Sequence, residues 1–389
     1  VLFAIARDAI DRQRADRQAG LASLRRAWHE ATPRLDLRPI KKKRGATRPS
    51  LGAVTTMGPR SQAQPRGHAE PVEAEMPLGR YLASTEKRVR DRAIRSLAAF
   101  VLMRAQEGGL SMSPAELSKL WKGLFYCFWM SDKPLVQQQL AQELSELVLM
   151  VAGIDMRSEE AQVASLRHAL AALDFYQGFW HTMQAEWLGV DKFRIDKYYL
   201  LMRRFLQAGC QLLLVHGCDA LLVERYVHIM RGTDGPLSSN NVHVPDSITY
   251  HICDAFLAEL DAAVAAHAEA SPAVPTIELL APFMDLAATS TSKQMHERVM
   301  SRVIDPFLAA CQRRLAQSTD EAHATEEHEP LEALLSHTRL DTGVASCSDV
   351  YSAALQRLMR AASAPDTYAP SRRHLYARWH EAAQATDLD

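Results

Sequence analysis

Residues 117–140 read Leu-Ser-Lys-Leu-Trp-Lys-Gly-Leu-Phe-Tyr-Cys-Phe-Trp-Met-Ser-Asp-Lys-Pro-Leu-Val-Gln-Gln-Gln-Leu. Within nine positions this stretch carries five aromatic residues: Trp121, Phe125, Tyr126, Phe128 and Trp129. Such a density of large rings predicts a helix that is buried on nearly every side. The run stops at Ser131-Asp132-Lys133-Pro134, where we predict a second helix with Asp132 as its cap and Pro134 in its first turn.

The same alternation of helix and turn signals continues from residue 78 to about residue 315. The breaks fall at Gly108-Gly109, Gly153, Gly189-Val190-Asp191, Gly232–Pro236 and Ser271-Pro272. Segments between them run about 15–25 residues, which is typical of helices and longer than ordinary strands. Ser113-Pro114-Ala115-Glu116 has the residue types of a capping box at a helix start. No stretch alternates with period two, so we predict almost no β structure.

Helical hairpins of about 40 residues in series predict an all-α fold, a solenoid of the HEAT or armadillo kind. The pattern Val89-Arg90-x-x-Ala93-x-x-x-Leu97 resembles the inner helix of a HEAT repeat. The repeats do not align well with one another, so a compact helical bundle stays open as an alternative.

Composition divides the chain into five predicted regions. Residues 1–30 have a helical pattern, and residues 31–77 form a basic, Pro/Gly-rich linker or arm that is largely irregular. Residues 78–315 are the helical-repeat core, residues 316–345 an acidic surface loop, and residues 346–389 the C-terminal helices.

Charge is distributed unevenly along a chain whose net charge is only −1. Residues 1–100 hold 21 of the 45 Lys and Arg but only 10 of the 46 Asp and Glu. A basic front and an acidic remainder predict that different partners contact the two parts. No apolar run approaches the length needed to span a bilayer, so we predict no membrane partner.

The six cysteines are scattered through apolar helical segments: Cys127, Cys210, Cys218, Cys253, Cys311 and Cys347. None forms a Cys-x-x-Cys pair, and none has the spacing of metal ligands. We predict reduced core residues of an intracellular protein.

Two basic clusters are the first candidates for nucleic-acid contact. Lys41, Lys42, Lys43 and Arg44 lie in the arm and could bind phosphate or serve as a nuclear import signal. Arg88, Arg92 and Arg95 share one helical face, with Arg90 beside it and Val89, Ala93, Ile94 and Leu97 on the buried side. This face could line an RNA backbone, although an exposed face paired with neighbouring carboxylates explains it equally well.

A third candidate lies in the segment 179–206, where basic residues alternate with rings. Asp191 is a predicted cap for a helix whose core side is Ile195, Tyr198, Tyr199, Met202 and Phe205. Because the rings recur with the helical period, we predict that they are core and not base-stacking platforms. The basic residues around them remain candidate contacts: Lys192, Arg194, Lys197, Arg203 and Arg204.

Enzymatic chemistry finds little support in the sequence. The histidines form no His-x-x-x-His or His-Glu-x-x-His pattern, and no phosphate-binding loop or Gly-x-Ser-x-Gly motif occurs. Asp191 and Asp196 could help hold magnesium in a nuclease, but they serve better as a cap and as an ion-pair partner of nearby lysines. We predict no enzyme, no metal, no cofactor and no small-molecule substrate.

Ordered blocks across residues 79–310 resemble the ribosomal RNA-processing protein 1 family, nucleolar Nop52-type factors that help assemble the large ribosomal subunit. The blocks include Leu120-Trp121-Lys122-Gly123-Leu124, Asp132-Lys133-Pro134, Glu186-Trp187, Asp196-Lys197-Tyr198-Tyr199, Val244-Pro245-Asp246 and Asp305-Pro306-Phe307-Leu308. A weaker similarity lies near 370–380, and residues 1–77 lie outside the match.

The resemblance implies an all-helical, nucleolar protein that binds precursors of the large subunit. Its partners would be pre-ribosomal RNA and other assembly factors, with ribosomal proteins as further candidates. It implies support for the cuts of other enzymes, and so a scaffold of ribosome biogenesis. The alternative is a helical-repeat adaptor for transport or docking that has no direct role with RNA.

Overall fold

The computed structural model describes residues 81–82, 84–107, 112–154, 165–268, 273–319, 330–340 and 343–384. The described part is almost entirely helical, which confirms the predicted fold class. Its helices are α1 (Lys87–Glu107), α2 (Pro114–Trp129), α3 (Pro134–Val151), α4 (Leu166–Glu186), α5 (Ile195–Val215), α6 (Ala220–Arg231), α7 (Asp246–Ala266), α8 (Thr276–Thr289), α9 (Lys293–Val299), α10 (Asp305–Thr319), α11 (Glu332–His337), α12 (Cys347–Ser363) and α13 (Ala369–Gln384).

The helices pack in two rows, because each helix from α1 to α6 contacts the helix two places further along the chain. The rows then continue through contacts of α7 with α11 and of α8 with α12. One row is α1, α3, α5, α7 and α11, and the other is α2, α4, α6, α8 and α12, with α13 packed on α12. Contacts between α3 and α4 and between α2 and α3 join the rows. This succession of neighbours is typical of helical-repeat stacks. A solenoid remains a prediction.

The helix starts follow the local sequence in some places and not in others. At α2 the Ser113 hydroxyl accepts a hydrogen bond from the Glu116 amide, and the Glu116 carboxylate accepts one from the Ser113 amide at 2.9 Å. The predicted capping box is therefore confirmed. Two predicted caps are wrong: α3 begins after Lys133 and not after Asp132, and α5 begins after Arg194 and not after Asp191.

A widened turn joins α9 to α10. Residues Met300–Ile304 form a π-helical turn, and Pro306 follows it in the first turn of α10. A proline inside a helix lacks the amide donor and collides with the carbonyl four residues back. The π turn lies where this disturbance falls, since inserted turns of this kind accommodate a displaced hydrogen-bond ladder.

The predicted acidic loop 316–345 contains more regular structure than the sequence suggested. Helix α11 packs on α7, its Leu334 and Leu335 are buried, and the Leu334 amide donates to the Asp261 carboxylate at 2.8 Å. A short antiparallel hairpin follows, formed by β1 (Arg339–Leu340) and β2 (Gly343–Val344). The two predicted C-terminal helices correspond to α12 and α13.

The aromatic stretch in the C-terminal half of α2 is central to the core, as predicted. Trp121 is buried against the rings of Phe175, Phe179 and Phe205, with ring centroids 4.6 to 5.6 Å apart. Its indole Nε1 donates to the Phe175 carbonyl at 2.9 Å, so the polar edge of the ring is satisfied in the interior. Helix α2 thereby fixes the position of α4.

Candidate nucleic-acid interface

Helix α1 presents three arginines on one exposed face. Arg88, Arg92 and Arg95 are all exposed, while Ala93 and Ile94 on the other side are buried. Within the part of the chain that the structure describes, no residue accepts a hydrogen bond or an ion pair from these three guanidinium groups. The face predicted from the helical period therefore exists, and its charges are available to an anionic ligand.

Arg90, predicted as a fourth member of this face, has a different role. Its side chain is 7% exposed. The guanidinium donates to the carbonyls of Ser84 and Thr85 at 2.8 and 3.0 Å and to the carbonyl of Met130 at 3.1 Å. Because its guanidinium is buried and bonded to three main-chain carbonyls, Arg90 is removed from the candidate contacts.

Lys197 is the second correction. It is 6% exposed, and its ammonium donates to the carbonyls of Phe128, Trp129 and Ser131 at 2.9, 2.7 and 2.7 Å. Burial lowers the pKa of this lysine to about 8, and the neighbouring positive charges of Arg194 and Arg90 act in the same direction. The ammonium stabilises the carbonyl end of α2, where a helix accumulates negative partial charge, and it is not available to RNA.

The other basic residues of the segment 179–206 are only partly available to a nucleic acid. Arg194 pairs with Asp191 and lies over the Trp129 ring, 4.7 Å from its centroid. Arg203 donates to Glu259 at 2.7 Å, and Arg204 donates to Gln207 at 3.1 Å. Lys192 is exposed, and its ammonium lies 5.1 Å from the centroid of the Phe193 ring. The basic run Lys41, Lys42, Lys43 and Arg44 lies outside the described residues.

The rings of α5 lie in the core or pack against it, with Tyr199 half-buried. Tyr198 and Phe205 are fully buried, and the Tyr198 hydroxyl donates to the Phe125 carbonyl at 3.1 Å. Phe193, which precedes α5, is 85% exposed and was not among the residues predicted to make contacts. The signal that could have found it is its position: Phe193 follows the turn residues Gly189-Val190-Asp191 and precedes the helical stripe.

Groups that carry out catalysis in other proteins are engaged in structural contacts here. Asp191, considered above as a magnesium ligand, accepts from the Phe193 amide at 2.9 Å and pairs with Arg194. Burial raises the pKa of the Cys127 and Cys210 thiols to about 12, which disfavours the nucleophilic thiolate. Among the described residues no group of three or more His, Cys, Asp or Glu could hold a metal ion. None of the helices described is long and apolar enough to cross a membrane.

Two adjoining open clefts of about 660 and 600 Å³ flank the π turn and share Glu297 and Ser301. Most of their charges neutralise each other. Arg298 pairs with Asp254 at 3.1 Å, and Arg378 pairs with Asp305 at 2.6 Å. The clefts therefore offer an anionic ligand less free positive charge than the exposed face of α1 does.

Comparison with known proteins identifies the family. The family described as "Nucleolar protein, Nop52" matches residues 73–346, well over half of the 389 residues and every element from α1 to β2. The chain belongs to the Nop52 family. This Nop52 region contains the three exposed arginines of α1 and both buried cations at the end of α2.

The curated relatives of this Nop52-family chain are named for ribosomal RNA processing. It is 34% identical over 238 residues to mouse (Mus musculus) Ribosomal RNA processing protein 1 homolog A, covering 61% of this chain and 44% of the relative. The human (Homo sapiens) homolog A is 34% identical over 214 residues, 55% and 42% of the two chains. The Drosophila melanogaster homolog is 29% identical over 236 residues, which cover 60% of this chain and 31% of the relative. The chain thus matches less than half the length of each of these relatives.

Proposed function

We propose that this protein is a non-catalytic scaffold of ribosome biogenesis that binds precursors of the large ribosomal subunit in the nucleolus. It would contact pre-ribosomal RNA and other assembly factors, and so support rRNA processing and maturation of the subunit. The observation that carries the proposal is membership of the Nop52 family, whose relatives bear names of ribosomal RNA processing.

The exposed face of α1 supports the RNA part of the proposal. Arg88, Arg92 and Arg95 project from one side of a helix whose other side is anchored on α3. Guanidinium groups match phosphate oxygens in geometry and charge, and a rigid helix holds them at fixed spacing. The basic run Lys41–Arg44, outside the described residues, would add further phosphate contacts or an import signal.

The scaffold part rests on how the polar groups are used. Arg90, Lys197 and Asp191 satisfy main-chain atoms or neighbouring charges, and buried thiols have raised pKa values. Such groups maintain a shape and do not form a reaction centre. The mechanism would be positional: preformed surfaces hold an RNA segment and neighbouring factors in one arrangement.

The RNA contact is tested by reversing the charges of α1. The triple variant Arg88→Glu, Arg92→Glu, Arg95→Glu should bind a large-subunit precursor RNA fragment more weakly than the wild type. The plot of log affinity against log salt should flatten by about 0.7–0.9 for each phosphate contact that is lost.

The matched control reverses three exposed arginines on other helices: Arg167→Glu, Arg360→Glu and Arg373→Glu. The control variant changes the net charge by the same amount as the α1 variant. If it changes the slope of log affinity against log salt less than the α1 variant does, the RNA contact is assigned to α1. Equal slopes for wild type and the α1 variant would remove this face from the interface. If the wild type also binds no RNA, the adaptor alternative would replace the RNA role.

The proposed association with large-subunit precursors is tested in cells by purifying the tagged chain and sequencing the RNA that accompanies it. We expect precursor RNA of the large subunit together with assembly factors. Recovery of import receptors or cytoplasmic cargo without precursor RNA would contradict the proposed function.

A further inference from the structure

Two cysteines meet where α10 packs against α12. Cys311 lies in the middle of α10 and is fully buried, and Cys347 is the first residue of α12 and is half-buried. The Cys347 thiol donates to the Cys311 carbonyl, with 3.4 Å between Sγ and the oxygen. The Cys311 thiol in turn donates to the Cys347 sulfur. The two sulfur atoms therefore face each other across the contact between the helices.

A second contact holds α10 and α12 in register beside the thiols. Gln312, the residue after Cys311, donates from Nε2 to the Tyr351 hydroxyl at 2.8 Å. Tyr351 is buried one turn after Cys347, and its hydroxyl donates to the Ala382 carbonyl of α13 at 3.1 Å. A disulfide needs facing side chains on backbones no more than about 7 Å apart. The packed helices keep the two thiols in the facing arrangement that such a bond requires.

The two thiols differ in how readily a reagent in solvent reaches them. Burial raises the pKa of both, and it raises the pKa of Cys311 more strongly. At Cys347 the guanidinium of Arg314 and the bond from Cys311 act in the opposite direction and lower the pKa. The position at the start of α12 also favours a thiolate, because the free amides there attract negative charge. Cys347 is therefore the thiol that a solvent-borne reagent meets first.

We propose that Cys311 and Cys347 form a thiol–disulfide exchange site, which a small-molecule disulfide such as oxidised glutathione converts into a bond that locks α12 to α10. The Cys347 thiolate attacks one sulfur of oxidised glutathione, and one glutathione thiolate leaves. Cys311 gives its proton to water, attacks the Cys347 sulfur of the mixed disulfide and releases the second glutathione. Two protein thiols are thus oxidised while one glutathione disulfide is reduced to two thiols. The inference is independent of the proposed scaffold function.

The bond would connect two residues that are 36 positions apart along the chain. The loop that it closes contains α11 and the hairpin of β1 and β2. A cross-link of this kind stabilises the folded chain chiefly by restricting the unfolded one. We expect the thermal unfolding midpoint of the oxidised protein to lie about 5 °C above that of the reduced protein.

The test treats the purified full-length chain with oxidised glutathione under native conditions. Free thiols are then alkylated, and the protein is digested and analysed by mass spectrometry without reductant. We expect a pair of peptides joined through Cys311 and Cys347, with the other four cysteines alkylated as free thiols. Dithiothreitol should separate the peptides and return the unfolding midpoint to that of the reduced protein.

Three single variants assign the roles of the two thiols. Cys311→Ser should accumulate glutathione on Cys347, because the second thiol that would release it is missing. Cys347→Ser should carry no glutathione on Cys311, which is fully buried. The matched control Cys253→Ser removes a buried thiol of α7 and should form the same disulfide as the wild type. Circular dichroism of the reduced variants checks their folding, and the wild-type digest decides the bond itself.

Each of the other outcomes overturns part of the proposal. Free thiols at both positions, under conditions that oxidise a reference peptide thiol, would remove the exchange site. Glutathione held on Cys347 of the wild type would show that the Cys311 sulfur does not reach it. A disulfide that leaves the unfolding midpoint unchanged would contradict the lock. A bond between Cys210 and Cys218 instead would show that oxidation follows unfolding, since both of these thiols are buried.

Discussion

Lys197 lies in the first turn of α5, and its ammonium is the donor for three main-chain carbonyls at the end of α2. The last carbonyls of a helix have no partner within the helix and need donors from elsewhere. Arg90 donates to a fourth carbonyl, that of Met130, from the opposite direction along the chain. Two cations from two other helices thus complete the end of α2 and fix the loop that follows it.

Replacing Lys197 should therefore cost stability. In Lys197→Met the alkyl stem remains while three carbonyls lose their donor, so we expect the free energy of unfolding to fall by about 2–4 kcal/mol. The control Lys192→Met removes an exposed lysine five residues earlier. It should change the free energy of unfolding by less than about 0.5 kcal/mol. Chemical denaturation followed by circular dichroism measures both. Equal stability of the two variants would mean that water replaces the ammonium without loss.

Helices α2 and α4 approach closely at a glycine. A Cβ atom at Gly178 would lie 2.5 Å from Cδ1 and 2.8 Å from Nε1 of Trp121. The indole cannot retreat, because its Nε1 is bonded to the Phe175 carbonyl and its ring makes edge-to-face contacts with the rings of Phe179 and Phe205. The missing side chain at Gly178 is what allows the Trp121 ring to enter the core.

Gly178→Ala should destabilise the protein by about 1–3 kcal/mol through overpacking, despite the better helix propensity of alanine. Gly189→Ala is the matched control, since a Cβ atom there would meet nothing within 4 Å. The thermal unfolding midpoints of the two variants and of the wild type test this prediction. A Gly178→Ala midpoint at or above that of the Gly189→Ala variant would show that α4 can shift away from the ring.

The elements that depend on local chemistry were predictable from the sequence. The capping box at Ser113 and the buried rings of α2 follow from residue types at fixed spacing. Helix α11 was missed because its six residues are too few for a periodic signal, and contact with α7 stabilises it. Asp132 and Asp191 have the residue type of a cap, but the side chain of Asp191 instead pairs with Arg194.

The residues of the candidate interface were likewise predictable only in part. The exposure of Arg88, Arg92 and Arg95 follows from the helical period of α1 alone. Arg90 and Lys197 could not be separated from them by sequence, since both reach carbonyls at the end of α2, which lie 40 residues from Arg90 and 66 to 69 residues from Lys197 along the chain. Long basic side chains reach across the fold, so burial of their charges is decided by tertiary neighbours.

At the scale of the described fold, the packing in two rows predicts which helices lose stability when one packing contact is weakened. Each helix of a row contacts the helices before and after it, and α13 contacts only α12 and α8 among the strongly packed pairs of the described region. In a stack of nearest neighbours, stability is close to a sum of local interface contributions. In a compact bundle with one shared core, a defect at any point lowers the stability of all helices together.

Leu375→Ala distinguishes the solenoid from the bundle. Leu375 is fully buried in α13, so its truncation should cost about 2–4 kcal/mol of the local unfolding free energy. Hydrogen exchange read by mass spectrometry should accelerate in α12 and α13 and stay at wild-type rates in α3 and α5. The matched variant Leu206→Ala, at a fully buried position of α5, should accelerate exchange in α3, α5 and α7. Uniform acceleration of all helices by Leu375→Ala would contradict the solenoid and favour the bundle.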